Sequence, residues 1–202
     1  NKNIKVIRIG RDNENFLQYD NKNYIDLDKI KRRTDLLETY LIYKSKFVLG
    51  TFTGGCIPPF WLFRKPTIFT NYVPIGQFHT NSEKILITFK KHYSKKENKL
   101  LKLSEIFDYQ LADASASVDY VKKDVELIDN TEEEIDLISQ EMLKRVNNNW
   151  IDDEETKRLK SKFLSVYKKN IEKYSYFKGL HGKIIIPTIG SNFLKTYEKL
   201  ID

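Results

Sequence analysis

The sequence predicts an α/β fold in which a parallel sheet is flanked by helices. Three observations carry that expectation. A short apolar run, Phe47-Val48-Leu49, leads into the glycine- and threonine-rich turn Gly50-Thr51-Phe52-Thr53-Gly54-Gly55, then an apolar helical stretch and a proline-introduced strand. Short strands alternate with helical patterns over short links, which is the signature of parallel pairing. The 202 residues, 40% hydrophobic and 13% aromatic, suffice to bury a sizeable core.

The elements follow in order. Lys5-Val6-Ile7-Arg8-Ile9 is a β-branched run closed by Gly10, hence a first strand. Residues 11–23 are polar and asparagine-rich and read as a loop, and Tyr24-Ile25-Asp26 reads as a second strand. Asp35 to Tyr43 carries Leu36, Leu37, Tyr40, Leu41 and Tyr43 at helical spacing behind Thr34, a natural N-cap. A strand at 46–49, a helix at 55–64 and a strand at 66–70 come next. Beyond Pro74 the pattern is less regular and contains the basic segment Lys90-Lys91-His92-Tyr93-Ser94-Lys95-Lys96, read as a solvated loop or a contact with an anionic membrane surface. Ser104 opens a short helix, and Val125-Glu126-Leu127-Ile128 reads as a last strand. Thr131-Glu132-Glu133-Glu134 is a capping box ahead of a helix with Ile135, Ile138, Met142 and Val146 on one face. A charged helix spans roughly 152–173, and the tail Lys183-Ile184-Ile185-Ile186-Pro187-Thr188-Ile189-Gly190-Ser191-Asn192-Phe193-Leu194 is helical in its last part. The division expected is a sheet domain over 1–150 and a helical C-terminal extension over 151–202, packed on that domain or on another.

Composition narrows the chemistry. One cysteine, Cys56, excludes an internal disulfide and a cysteine-based zinc cluster, and His79, His92 and His181 lack metal-ligand spacing. No run of 18 apolar residues occurs. A formal charge of +7 and an isoelectric point near 9.2 suit an anionic partner, although lysine excess also follows from the Lys-, Asn- and Ile-rich composition. Basic and aromatic residues do not interleave on one face, so nucleic acid ranks last among such partners.

Parallel α/β sheets bind ligands outside the carboxyl ends of their strands. There the sequence lines up Arg8 to Asp12, Asp26, Gly50 to Gly55, and Thr70-Asn71-Tyr72. A glycine turn before a helix offers backbone N–H groups to a phosphate, and Thr51 and Thr53 add hydroxyls. The spacing matches neither a Walker loop nor the dinucleotide fingerprint. Each residue also has a plainer reading: the turn as a tight connection, Arg8 as a sheet-end arginine, Asn71 as a turn former.

The assembled order resembles a family of bacterial glycosyltransferases of surface carbohydrate assembly with GT-B architecture. The resemblance runs through Val6-Ile7-Arg8-Ile9-Gly10, Asp35-Leu36-Leu37-Glu38-Thr39-Tyr40-Leu41, Phe47 to Gly54, Thr70-Asn71-Tyr72-Val73-Pro74, Leu103-Ser104-Glu105-Ile106-Phe107, Glu126 to Ile135, and Ile189-Gly190-Ser191-Asn192-Phe193-Leu194. It covers nearly the whole chain but only the C-terminal, donor-binding half of a family member, so it implies a further N-terminal domain. It implies a Rossmann-like sheet and no metal or other cofactor. It also implies a nucleotide-diphosphate sugar as donor, a glycan or lipid-linked acceptor and a cytoplasmic location, with residues 90–96, by their charge, the candidate for peripheral contact at the inner face of the membrane. By similarity to fucosyltransferase-like enzymes, Arg8 and Asp12 are the catalytic candidates. Arg8, Gly50, Thr51, Thr53, Gly54, Gly55 and Asn71 would hold donor phosphate or sugar. Arg11 intrudes where the family usually runs Arg-x-Gly-Asp, and Thr53 stands for its usual serine. A non-catalytic nucleotide- or glycan-binding module is the second reading.

Overall fold

A computed structural model of the chain describes residues 4–10, 21–27, 29–30, 33–52, 59, 62–78, 84–172 and 188–202. Within them the fold is mixed α/β. β1 (Val6–Arg8) pairs in parallel with β2 (Tyr24–Asp26) as a two-stranded sheet. α1 (Asp35–Lys44) follows, capped by the Thr34 hydroxyl, which accepts the Leu37 N–H at 3.1 Å. β3 (Val48–Gly50), β4 (Thr67–Tyr72) and β5 (Ile85–Phe89) then form a parallel sheet in the order β3-β4-β5. The expected parallel pairing of these early strands is therefore present. Most of the helix expected at 55–64 lies outside the described residues.

The stretch after Pro74 departs from expectation. Ile85-Leu86-Ile87-Thr88-Phe89 is a strand buried along its whole length, as a parallel strand covered on both faces must be. After Lys90 alone, the chain enters β6 (Lys91–Ser94), so the middle of the basic run is a strand and not a loop, while Lys95 and Lys96 lie in the turn that follows it. β6 pairs antiparallel with β7 (Lys99–Leu100) on one side and β8 (Val125–Ile128) on the other. The last strand foreseen in the sequence thus exists, in a sheet separate from β3-β4-β5.

Between these strands lie α2 (Leu103–Asp108) and α3 (Ser117–Lys122). α4 (Glu132–Val146), α5 (Glu154–Ile171) and α6 (Ser191–Thr196) follow, with a 3-10 turn at Glu198–Leu200. The capping box of α4 is made as its sequence requires: Thr131 Oγ1 accepts the Glu134 N–H at 3.2 Å and Glu134 accepts the Thr131 N–H at 3.0 Å. α5 starts at the Asp153 cap, which accepts from the Thr156 N–H at 2.8 Å.

Strand alternation distributes the core. Ile68 and Leu86 point to one face and pack with Ile138 and Met142 of α4. Phe69, Ile87 and Phe89 point to the other and pack with Leu159, Phe163 and Tyr167 of α5 and Leu194 of α6. Helices thus cover both faces of the parallel sheet, and residues on either side of position 150 share one core. Residues 188–190 run beside β5, with Ile87 N–H donating to Thr188 O and Gly190 N–H to Ile87 O, each at 3.0 Å.

Candidate functional site

The candidate residues sit at strand ends. Arg8 is the last residue of β1, in register with Asp26, the last of β2. Its Nη1 donates to Asp26 Oδ2 at 2.9 Å, while its side chain keeps 29% of its surface exposed. That hydrogen bond raises the guanidinium pKa further, so the positive charge is permanent. Beyond it, Gly10 adopts φ +113°, a conformation that suits glycine, and its N–H donates to Glu38 Oε1 of α1 at 2.9 Å. Glu38 in turn accepts from Arg33 Nη2 at 3.1 Å. The carboxyl end of β1 is therefore stitched to the start of α1.

Gly50 ends β3, and Thr51 beyond it is exposed. Phe52 turns back into the core, where its ring meets Phe69 at 5.4 Å and Tyr72 at 5.1 Å between centroids. That anchor sets the direction in which the chain leaves the strand. Asp12, Thr53, Gly54 and Gly55 lie outside the described residues.

Asn71 lies at the end of β4, where the pairing register with β5 shifts, and holds φ +53°. Its N–H donates to Asn130 Oδ1 at 2.7 Å, and its own Oδ1 accepts the Asn130 N–H at 2.6 Å. The Asn71 amide oxygen expected to meet a ligand is engaged in joining β4 to the approach to α4. Arg8, Gly50 and Asn71 all stand at carboxyl ends of parallel strands. The structure divides them between two sheets, with Arg8 bonded to Asp26 and Asn71 bonded to Asn130.

A second polar centre escaped the sequence reading. Glu134, in the first turn of α4, accepts from Lys91 Nζ at 3.0 Å to each oxygen, from Asn130 Nδ2 at 3.0 Å, and from the Tyr197 hydroxyl. Lys91 Nζ also lies 5.5 Å from the Tyr197 ring centroid. Burial alone would raise the carboxyl pKa. The combined donors, Tyr197 foremost, outweigh it and hold the group below its ordinary value of 4.5. The amino end of α4 thus carries an anion of its own, supplied by the chain. Lys91 in a basic run and Glu134 in a capping box were each visible in the sequence, but nothing in their spacing announced that they pair.

Two other lysines of that run are also partnered: Lys90 with Asp129 at 2.6 Å and Lys95 with Glu126 at 3.3 Å. His92, on the opposite face of β6 from Lys91, is buried beside the Tyr120 ring at 5.6 Å. Its Nδ1 lies 3.1 Å from Lys90 O, while Nε2 has no hydrogen-bond partner. A cavity of about 60 Å³ is lined by Lys91, His92 and Tyr197 together with apolar residues that include Phe89, Ile106 and Phe163, with no carboxylate among its walls.

No protein-family model matches this chain, and neither does any curated protein or solved structure.

Among the described residues, no group of three or more His, Cys, Asp or Glu side chains is placed to hold a metal ion. No described helix is long and apolar enough to cross a membrane.

Proposed function

We propose that this chain is the donor-binding part of a nucleotide-sugar glycosyltransferase of GT-B architecture, built on a Rossmann-like sheet and acting in surface-glycan synthesis. One observation supports the reading: Arg8 and Gly50-Thr51 each stand at the carboxyl end of a parallel strand, β1 in one sheet and β3 in another, the kind of position where α/β sheets take up ligands. The motif resemblance, which runs through these same residues, supports it as well.

In this reading Arg8, oriented by Asp26, faces the diphosphate of the donor. As the glycosidic bond to the phosphate breaks, negative charge grows on the leaving oxygen and the guanidinium stabilises it. Thr51, Thr53, Gly54 and Gly55 supply hydroxyl and N–H donors to phosphate or sugar. The acceptor's proton goes to a base on the N-terminal domain that the resemblance implies, and no metal takes part. Donors of this kind are cytoplasmic, which sets the compartment proposed.

The test is a thermal-shift titration of the protein with both lobes against uridine, guanosine and cytidine diphosphates. A true donor nucleotide at a hundredfold excess over Kd stabilises by about 2.7 kcal/mol. Arg8→Ala abolishes the shift without changing the unliganded midpoint by more than a few degrees. No shift with any of the three overturns the reading. Binding without donor hydrolysis or transfer selects the second reading, a nucleotide-binding module.

A further inference from the structure

α1 is an unusual helix for a folded domain. Of its ten residues only Ile42 is buried. Leu36, Tyr40 and Tyr43, spaced i, i+4, i+7 and hence on one face, are 80%, 53% and 53% exposed. The stripe continues onto the segment before β4, where the Phe63 ring meets Tyr43 at 5.7 Å and Leu62 is 72% exposed. Such a continuous apolar surface is kept in water only where something covers it.

Around Tyr40 and Tyr43 its charges are of one sign. Lys44 Nζ lies 5.8 Å from the Tyr40 ring and 5.6 Å from the Tyr43 ring. Lys65 Nζ lies 5.4 Å from the Tyr43 ring. Lys46 and Arg64 are exposed beside them. Neither 39–52 nor 62–66 contains an acidic residue. The acids of α1, Asp35 and Glu38, flank Leu36 in its first turn and pair with Arg33.

We infer that the Leu36–Tyr40–Tyr43 face of α1, with Lys44, Lys46, Arg64 and Lys65 around it, docks on an anionic phospholipid surface. Exposed leucines enter the acyl boundary, tyrosines lie at headgroup depth, and the lysines reach lipid phosphates. A nucleic acid uses the cations and the rings but has no place for Leu36 and Leu62, so the aliphatic part of the patch favours lipid. The membrane contact expected at 90–96 has weaker support, because Lys90, Lys91 and Lys95 are each held by a carboxylate of the chain.

Co-sedimentation of the whole chain with phosphatidylcholine vesicles, with and without about 30 mol% phosphatidylglycerol, tests this. Binding is expected to the anionic vesicles, weakening as salt rises. Each basic residue at the surface contributes about fivefold, so the double variant Lys44→Glu, Lys46→Glu lowers partitioning at least about 25-fold. The double variant Lys122→Glu, Lys123→Glu, exposed on α3 and its end, changes net charge equally and leaves partitioning within about twofold. Leu36→Ser with Tyr40→Ser lowers vesicle binding as well, and circular dichroism verifies that each variant is folded. The inference is overturned by absence of binding to anionic vesicles at low salt, or by equal losses in the two charge-reversed variants. It is also overturned if Lys44→Glu, Lys46→Glu abolishes binding to a single-stranded oligonucleotide while vesicles stay unbound.

Discussion

Asn71 and Asn130, 59 positions apart, each accept the other's backbone N–H through the side-chain oxygen, at 2.6 and 2.7 Å. The pair does for the junction of β4 and α4 what a two-residue sheet ladder does elsewhere. Asn130 is the busier partner: its Oδ1 also accepts the Thr88 hydroxyl at 2.9 Å, and its Nδ2 donates to Phe89 O at 2.9 Å.

Asn130→Ala therefore leaves the Asn71 N–H, the Thr88 hydroxyl and the Phe89 carbonyl without that partner in a buried place. The expected loss is about 2–4 kcal/mol in urea unfolding. At position 71 the backbone conformation matters separately. Asn71→Gly keeps the left-handed φ and loses only the side-chain bond, so it is milder than Asn71→Ala by about 1 kcal/mol. Equal losses for the two would refute the backbone argument.

Breaking the Lys91–Glu134 pair is costly at neutral pH. Lys91→Met leaves a buried carboxylate short of its cation, an expected loss of about 3 kcal/mol. Glu134 is held below its ordinary value of 4.5, so its contribution is present above pH 4.5 and is lost as pH falls through the lowered value. The deficit of Lys91→Met relative to the native chain should accordingly shrink in acid. Parallel urea titrations at neutral pH and below about pH 4 read this directly.

His92 supplies a different pH window. Burial pushes its pKa from 6.5 down to about 4. The unfolded chain binds a proton between these values and the native one does not, so stability rises with pH across that interval. The full contribution, about 3 kcal/mol, is present above pH 6.5 and lost as pH falls towards 4. His92→Phe keeps a ring against Tyr120 and should flatten the dependence between pH 6.5 and 4, leaving the carboxylate limb below it. An unchanged slope in the variant would remove His92 from the account.

Leu159 reports on domain organisation. It is fully buried in α5 and shares its core with Phe69, Ile87 and Phe89. Leu159→Ala should cost about 2–5 kcal/mol and shift the whole unfolding transition, with fluorescence and circular dichroism coincident. If 151–202 were an independent extension, the variant would instead split the transition in two.

Local rules made several elements legible. Thr131 and Glu134 form a capping box because residues three apart at a helix start can only meet that way, and Thr34 caps α1 for the same reason. Parallel pairing of β3 and β4 followed from the strand–helix–strand pattern of the sequence. β5 was not foreseen, although its unbroken Ile-Leu-Ile-Thr-Phe run is how a doubly covered strand reads, because polar residues flank it on both sides. The basic run misled for a physical reason: a lysine-rich segment is a surface loop unless carboxylates from elsewhere neutralise it, and those of Glu126, Asp129 and Glu134 lie more than thirty positions on. The candidate anion edge was legible as residue types. Which strands end side by side was not.

By itself, the sequence determined what depends on neighbours along the chain: caps, helix faces, strand-forming runs, and the residues available at strand ends. Only the tertiary structure decided which distant groups meet, pairing Asn71 with Asn130, Lys91 with Glu134 and Arg8 with Asp26, and leaving the tyrosines of α1 in water. The physical reason is reach. Capping and periodicity act over one helical turn or one pleat, whereas burial and ion pairing reward contacts whose partners the chain brings together only when it folds.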